Sequence, residues 1–389
     1  MTSPGQPGAL APACNNSMTA LVCERYGAPE VLKFVELPRP SPRQDEVLIR
    51  VLASTITSGD RRVRSMDMPQ GFRTLGRLAL GWHGPRNAVL GAEFSGVVQA
   101  VGSRTKGFVP GDAVFGISGF RMGGHAEYLC MSAKGAIAHK PEHLPFEGAA
   151  ALAFGGGTAV SFLRRADLRA GETILINGAS GNVGMGAVQL ACIMGAGVTG
   201  VCSAAQLDQV RSLGALHVVN YTLEDFTAAG ERYDVIFDVA CNQSVERCLN
   251  VLNPGGRLIR LQAGLPEMCR ALLQPRRAGR HIIVGTAEER ADHLTYLADL
   301  VRQGHYRPGI ACVFPFEEAI EAHRYADRPG HGGSVVIRMS RIAENGALPY
   351  PTRSGEELSV PTVTTFETLN RRGLSASMFC TTIVHRLTA

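Results

Sequence analysis

Lysine is almost absent from this chain. Lys33, Lys106, Lys134 and Lys140 are the only lysines among 39 basic residues, and the arginines are spread along the chain rather than gathered on one face. A net charge of +5 distributed in this way lacks the clustered footprint that a nucleic-acid backbone requires. No stretch reaches the ~18 uninterrupted apolar residues of a membrane span. The opening MTSPGQPGALAPACNNS has neither the basic start nor the apolar core of a secretory signal; it reads as a flexible leader over 1–17, with Met18 as an alternative start. The ten cysteines contain no CxxC pair and no regular spacing, which argues against a disulfide framework. Cys192, Cys202 and Cys248, set among apolar neighbours, read as reduced core residues of a cytoplasmic protein.

What remains is a globular composition, 45% hydrophobic and 19% charged over 389 residues, with room for two domains. The most informative stretch runs from Glu172 to Tyr221. A β-type run, Thr173-Ile174-Leu175-Ile176-Asn177, stops at the turn Gly178-Ala179-Ser180-Gly181-Asn182-Val183-Gly184. A small-residue helix pattern to Met194 and a second strand, Val198 to Cys202, follow. Strand, glycine turn, helix and strand in this order make a dinucleotide-binding fingerprint. The missing Cβ at Gly181 lets the backbone approach a pyrophosphate, and Gly184 lets helix and strand pack closely. The free N–H groups and dipole of the helix start hold the phosphate charge.

An acid at the end of the second strand would grip a ribose 2′-hydroxyl and select NAD. That position reads Val201-Cys202-Ser203-Ala204-Ala205-Gln206 and has none; Asp208 comes later and reads as solvated. Ser203 leaves room for a 2′-phosphate and can bond to it, which points to NADPH. With no Lys or Arg beside Ser203, NADH stays open as the alternative cofactor.

Before this unit, short β runs (Thr19 to Glu24, Val31 to Glu36, Glu46 to Ala53) and further strands around Gly96 and Gly111 predict a small barrel-like β domain. Met66 to Trp82 reads as a looser segment over a cleft. Phe146 to Ala166 reads as a helical run interrupted at Gly155-Gly156-Gly157-Thr158, where either a ligand approaches the backbone or the chain simply bends. After it, strands at Tyr233 to Ala240, Gly256 to Leu261 and His281 to Val284, with a helix at Ser244 to Leu252, continue a parallel sheet. Ligands sit at the carboxyl ends of such strands, which makes Tyr221 and Asp238 candidate cofactor neighbours. Arg276, Arg277 and Arg280 read as a solvated basic loop. A helix at Leu294 to Gln303 and an edge strand at Ser334 to Arg338 are expected to return to the first domain. The resulting division is a leader at 1–17, the first domain at 18–140, a nucleotide domain at 141–290, the return at 291–339, and a disordered tail at 340–389.

Taken in order, LGAEFSGVVQAVG, GFVPGDAVFG, GGHAEYL, the GGGTA segment, GASGNVG and GGSVVI resemble the medium-chain dehydrogenase/reductase superfamily. The likeness is to its zinc-independent quinone oxidoreductase branch, over about Met18 to Met339. It implies an α/β fold: a GroES-like β domain plus a Rossmann-type doubly wound parallel sheet domain, with the active site in the cleft between. Zinc ligands of the zinc-dependent relatives match Thr57, Ala92 and Phe154 here, so no metal is expected. The cysteine-rich lobe is also missing between Gly116 and Gly123. By family position Thr57 to Asp60 lines the nicotinamide end, with Thr57 donating to the acceptor oxygen. Asp60 either fixes that loop for catalysis or is an ordinary turn residue bonding its own backbone. The resemblance carries cofactor contacts to Ser180 to Gly184, Ser203 and Tyr221, and the residue reading adds Thr158, Ala179 and Asp238. Ala204-Ala205 replaces the usual basic residue, and Asp238 to Cys241 replaces a glycine-containing loop. The implied activity is hydride transfer from NADPH to a quinone or α,β-unsaturated carbonyl as small-molecule substrate, in a homodimer without nucleic-acid or membrane partners. An enoyl reductase of acyl-thioesters and a dinucleotide-binding protein without turnover are the alternatives.

Overall fold

The computed structural model describes residues 16–264 and 279–339. The leader over 1–15, Arg276 and Arg277, and the tail from 340 lie outside the described residues.

Two sheets carry the fold. The first domain opens with the antiparallel pair β1 (Ser17–Cys23) and β2 (Leu32–Pro38). β3 (Glu46–Ile56) then leads through α1 (Ser58–Ser65) and α2 (Arg73–Leu80) to β4 (Glu93–Val101), β5 (Ala113–Ile117), β6 (Tyr128–Ser132) and β7 (Ala136–His139). β3 is long because it serves three partners. Its first half pairs with β6, its length with β4, and its last residues with the final strand of the chain. The expected loose segment over 66–82 contains α2, which leaves Leu75, Leu78 and Trp82 exposed.

α3 (Phe146–Arg165) joins the domains as an unbroken helix, which corrects the expected interruption at Gly155-Gly156-Gly157. A Cβ on Gly155 would lie 2.0 Å from Asn182 Oδ1, and one on Gly156 2.8 Å from Leu297 Cδ1. These glycines offset their helix cost by letting neighbouring helices close in. Among the described residues α3 alone is long and apolar enough to cross a membrane, and 89% of that window is buried inside the protein.

The second sheet is built by β8 (Thr173–Asn177), α4 (Asn182–Ile193), β9 (Gly197–Cys202), α5 (Leu207–Ser212) and β10 (His217–Asn220). β11 (Tyr233–Asp238), α6 (Val245–Asn250), β12 (Leu252–Arg260) and β13 (His281–Ile283) complete it. The strand order is β10-β9-β8-β11-β12-β13, and every pairing is parallel. The order reverses between β8 and β11, where the crevice outside the strand ends takes ligands. This is the doubly wound sheet that the βα alternation predicts.

The return to the first domain is richer than the sequence reading. After α7 (Ala291–Arg302) come β14 (Ile310–Pro315), α8 (Ala319–Asp327) and β15 (Ser334–Arg338). β14 and α8 were not anticipated. β15 is also not an edge strand, because it lies between β14 and β3. α7 packs at the seam rather than wholly on the first domain. Its Leu294, Leu297, Ala298 and Val301 share one core with α3, α4 and β8 of the nucleotide side and with Phe115 and Ala136 of the first domain.

Candidate active site

A cavity of ≈ 450 Å³ opens between the two sheets. Its walls come from the start of α1 (Thr57, Ser58, Gly59), from Ala92, Phe154 and Thr158, and from the helix start at Asn182 and Val183. Val239 and Leu261, just beyond β11 and β12, close the nucleotide side. The cavity therefore sits against the strand ends flanking the switch point.

The half of the cleft expected to hold phosphate is built by main chain. Helix α4 begins at Asn182 with Gly181 as N-cap, no side chain caps it, and its first turn holds no acid. The first-turn amides of a helix have no partner within it, so those of Asn182, Val183 and Gly184 face outward for an anion. Gly181 has φ −74°, which any residue adopts, and a Cβ there would meet only Gly178 O at 3.5 Å. Nothing inside the protein requires glycine at 181. The space left above it is a cradle that a side chain would fill, so the residues present fit a dinucleotide pyrophosphate. At Gly184 the reason is internal: a Cβ would lie 2.0 Å from Gly178 O. Ala179 departs from the expected set, because its N–H already donates to Val201 O at 2.9 Å and its side chain is wholly buried.

Ser203 follows β9, and Tyr221 is set beside it by donating its N–H to Cys202 O at 3.2 Å. Ser203 Oγ bonds Gln206, whose amide reaches Gly330 O at 2.8 Å. Asp208 is solvated, as read from the sequence, and pairs with Arg211 at 2.9 Å. Asp238 is a correction. Its carboxylate is fully buried and is occupied by Asn177 Nδ2 at 2.8 Å, the Cys241 amide at 2.8 Å and Arg260 Nε at 3.8 Å. It shapes the loop after β11, and its neighbour Val239 faces the cavity.

Thr57 and Asp60 form a capping box at the start of α1. Thr57 Oγ1 donates to Asp60 Oδ2 at 2.6 Å, and the Thr57 amide donates to the same oxygen at 2.8 Å. Asp60 Oδ1 accepts from the Gly91 amide at 2.8 Å. Asp60 thus ties α1 to the chain entering β4 and bonds backbone as a turn residue does. The Thr57 hydroxyl proton, expected to reach the acceptor, is directed to Asp60 in this structure.

Behind this wall lies a buried polar layer that the sequence reading did not foresee. Glu93 is fully buried, with the Thr55 hydroxyl and the Phe154 amide donating to its carboxyl. Burial pushes its pKa up to about 8, so it is mostly protonated at neutral pH. Arg64 reaches Asp327 Oδ2 at 2.5 Å and His323 Nδ1 at 2.9 Å. His323 stands edge-on to His125 at 5.3 Å, and His125 contacts Thr55 O at 3.2 Å. Burial lowers the pKa of both histidines, that of His323 well below 6.5. Among the described residues, no three His, Cys, Asp or Glu side chains are grouped as a metal centre.

Comparison with known proteins agrees with this architecture. Residues 43–142 match the alcohol dehydrogenase GroES-like domain, and residues 213–337 match a family described as zinc-binding dehydrogenase. The quinone oxidoreductase of Sus scrofa is 30% identical over 326 residues, covering 79% of this chain and 93% of that protein. The chloroplastic NADPH-dependent alkenal/one oxidoreductase of Arabidopsis thaliana is 30% identical over 335 residues, covering 82% and 79%. The solved quinone oxidoreductase from Coxiella burnetii superimposes with a TM-score of 0.74 at 30% identity, covering 83% of this chain and all of that one. The two domains with a dinucleotide cradle between them define an NAD(P)H-dependent oxidoreductase. The chain belongs to the medium-chain dehydrogenase/reductase superfamily, among its quinone oxidoreductase-like proteins.

Proposed function

We propose that this chain is an NADPH-dependent reductase that works without zinc and passes hydride to a quinone or an α,β-unsaturated carbonyl. The observation that carries the reading is the lining of the cavity by Thr57, Ala92 and Phe154, the positions that match the zinc ligands of zinc-dependent relatives. A methyl and a phenyl group cannot coordinate zinc, and the Thr57 hydroxyl donates to Asp60. Without a Lewis acid, alcohol oxidation lacks its means of stabilising an alkoxide. An acceptor that is already electron-poor needs less help, and the bound dinucleotide supplies the hydride. The protein contributes a phosphate cradle at Gly181 to Gly184, a neutral buried Glu93 behind the wall, and an enclosed cleft that holds the reactants in register.

NADPH is favoured over NADH because the end of β9 carries Ser203 and no acid. Ser203→Asp is expected to move preference toward NADH through repulsion of the 2′-phosphate, read as the ratio of the two dissociation constants; an unaltered ratio would remove Ser203 from the site. Burial raises the thiol pKa of Cys192 to about 11 and of Cys248 to about 12, which suits unreactive cysteines in a reducing cytoplasm. The deciding experiment follows NADPH oxidation against a panel of quinones and enones. Turnover with at least one of them is expected. Fluorescence quenching without acceptor consumption identifies a binding protein instead, and rates far higher on acyl-thioesters identify an enoyl reductase.

A further inference from the structure

Helix α1 presents three guanidinium groups within four positions, and only two of them have an ion-pair partner, the shared carboxylate of Asp327. Arg61 Nε pairs with Asp327 Oδ1 at 2.9 Å and Arg64 Nη2 with Asp327 Oδ2 at 2.5 Å. Arg62 lies on the same helix, lines the cavity and is half-buried. It has no hydrogen-bond or ion-pair partner among the described residues. The charges that act on it at a distance are Asp67, which favours it, and Arg61, which opposes it. Of the other arginines on the cavity wall, Arg61 is paired with Asp327 and Arg290 with Asp292. Glu288 and Glu289 also line the cavity, but they are not among the charges that act on Arg62.

A guanidinium stays protonated at any working pH, so partial burial without a direct partner costs stability that the attraction of Asp67 offsets only in part. Such an exception to local pairing is expected where a ligand completes the set. Arg62 shares the cavity wall with Val239, which directly follows β11, beside the point where the strand order reverses.

We infer that Arg62 binds an anionic oxygen group of a ligand seated at the β8/β11 switch point of the cleft. That group belongs either to the dinucleotide, as its pyrophosphate, or to the acceptor, as the oxygen that becomes negative when hydride arrives. In the second case the hydride adds to the acceptor carbon, the displaced electron pair moves to the carbonyl oxygen, and a solvent proton later completes reduction. Arg62 holds the oxyanion in between and takes the place of a Lewis acid. The inference rests on the cleft being the dinucleotide site.

The test is Arg62→Met beside Arg62→Lys, both checked for folding by thermal melting, with dissociation constants measured by fluorescence. Probes are NADPH, 2′-phospho-ADP-ribose (which keeps the pyrophosphate and lacks nicotinamide) and 2′,5′-ADP (which lacks the pyrophosphate). A charge-assisted contact predicts a loss of about 10- to 100-fold in Arg62→Met, partly restored in Arg62→Lys. Loss on the first two probes and none on the third assigns the pyrophosphate. Unchanged binding with kcat lowered by a similar factor on a neutral acceptor assigns the acceptor oxyanion. Wild-type affinity on every probe together with wild-type kcat in Arg62→Met overturns the inference. A wild-type chain that fails to bind NADPH overturns the cofactor reading itself, so the two failures are distinguishable.

Discussion

Gly181 and Gly184 are three residues apart and are glycine for different reasons. Space above 181 is open apart from Gly178 O at 3.5 Å, whereas a Cβ at 184 would press on the same oxygen at 2.0 Å. Gly181→Val is therefore expected to fold within about 1 kcal/mol of the parent and to lose NADPH binding by more than about 100-fold. Gly184→Val should fail to fold. Titration of NADPH fluorescence alongside urea melts separates the two, and full NADPH affinity in Gly181→Val would take the turn out of the site.

Glu93 gives stability a pH dependence whose sign is fixed by its raised pKa. Below its ordinary value of 4.5 both folded and unfolded chains hold the proton. From there to about pH 8 the unfolded chain ionises while the folded one keeps its proton, so this contribution falls as pH rises and is gone above about 8. Glu93→Gln removes the effect. Its stability relative to the parent should climb between pH 5 and pH 8 by at most about 5 kcal/mol, measured as the difference in chemical-denaturation midpoints. A constant difference across that range would mean that Glu93 is ionised when buried.

At the scale of elements, α1 is held from behind by α8. Asp327 bridges Arg61 and Arg64, and His323 from the same helix accepts from Arg64. Asp327→Ala leaves Arg64, 3% exposed in its side chain, without its ion partner. We expect a loss of about 2–4 kcal/mol, read by urea unfolding, and a KM for the acceptor that rises because Thr57 to Gly59 lose their anchorage. An unchanged KM would confine Asp327 to stability. None of this brace was legible in the sequence. Ala319 to Asp327 buries Ala319, Ala322, His323 and Ala326, and a histidine on the inner face hides the apolar period by which an amphipathic helix is recognised. β8, α4 and β9 were legible because apolar runs, a glycine turn and small helical residues all specify the same local structure. In α3 the same glycines misled, since their reason lies in Asn182 and Leu297 across a helix contact.

For the whole molecule, a ligand that bridges two lobes must stabilise both. NADPH at a hundred times its dissociation constant adds about 2.7 kcal/mol to the folded state. A two-domain chain of this size should then melt about 3–4 °C higher, and the rise should vanish in Gly181→Val. A shift that persists in that variant would place the dinucleotide elsewhere.

The sequence by itself determined the doubly wound sheet and the glycine turn, because periodicity and residue type act over a few neighbouring positions. Tertiary structure alone decided that Asp238 is buried on Asn177, Cys241 and Arg260, that Thr57 donates to Asp60, and that Arg62 faces the cleft while Arg61 and Arg64 share Asp327. Burial and pairing are set by residues as much as 294 positions apart, and a charge takes its role from whichever partner the fold brings to it.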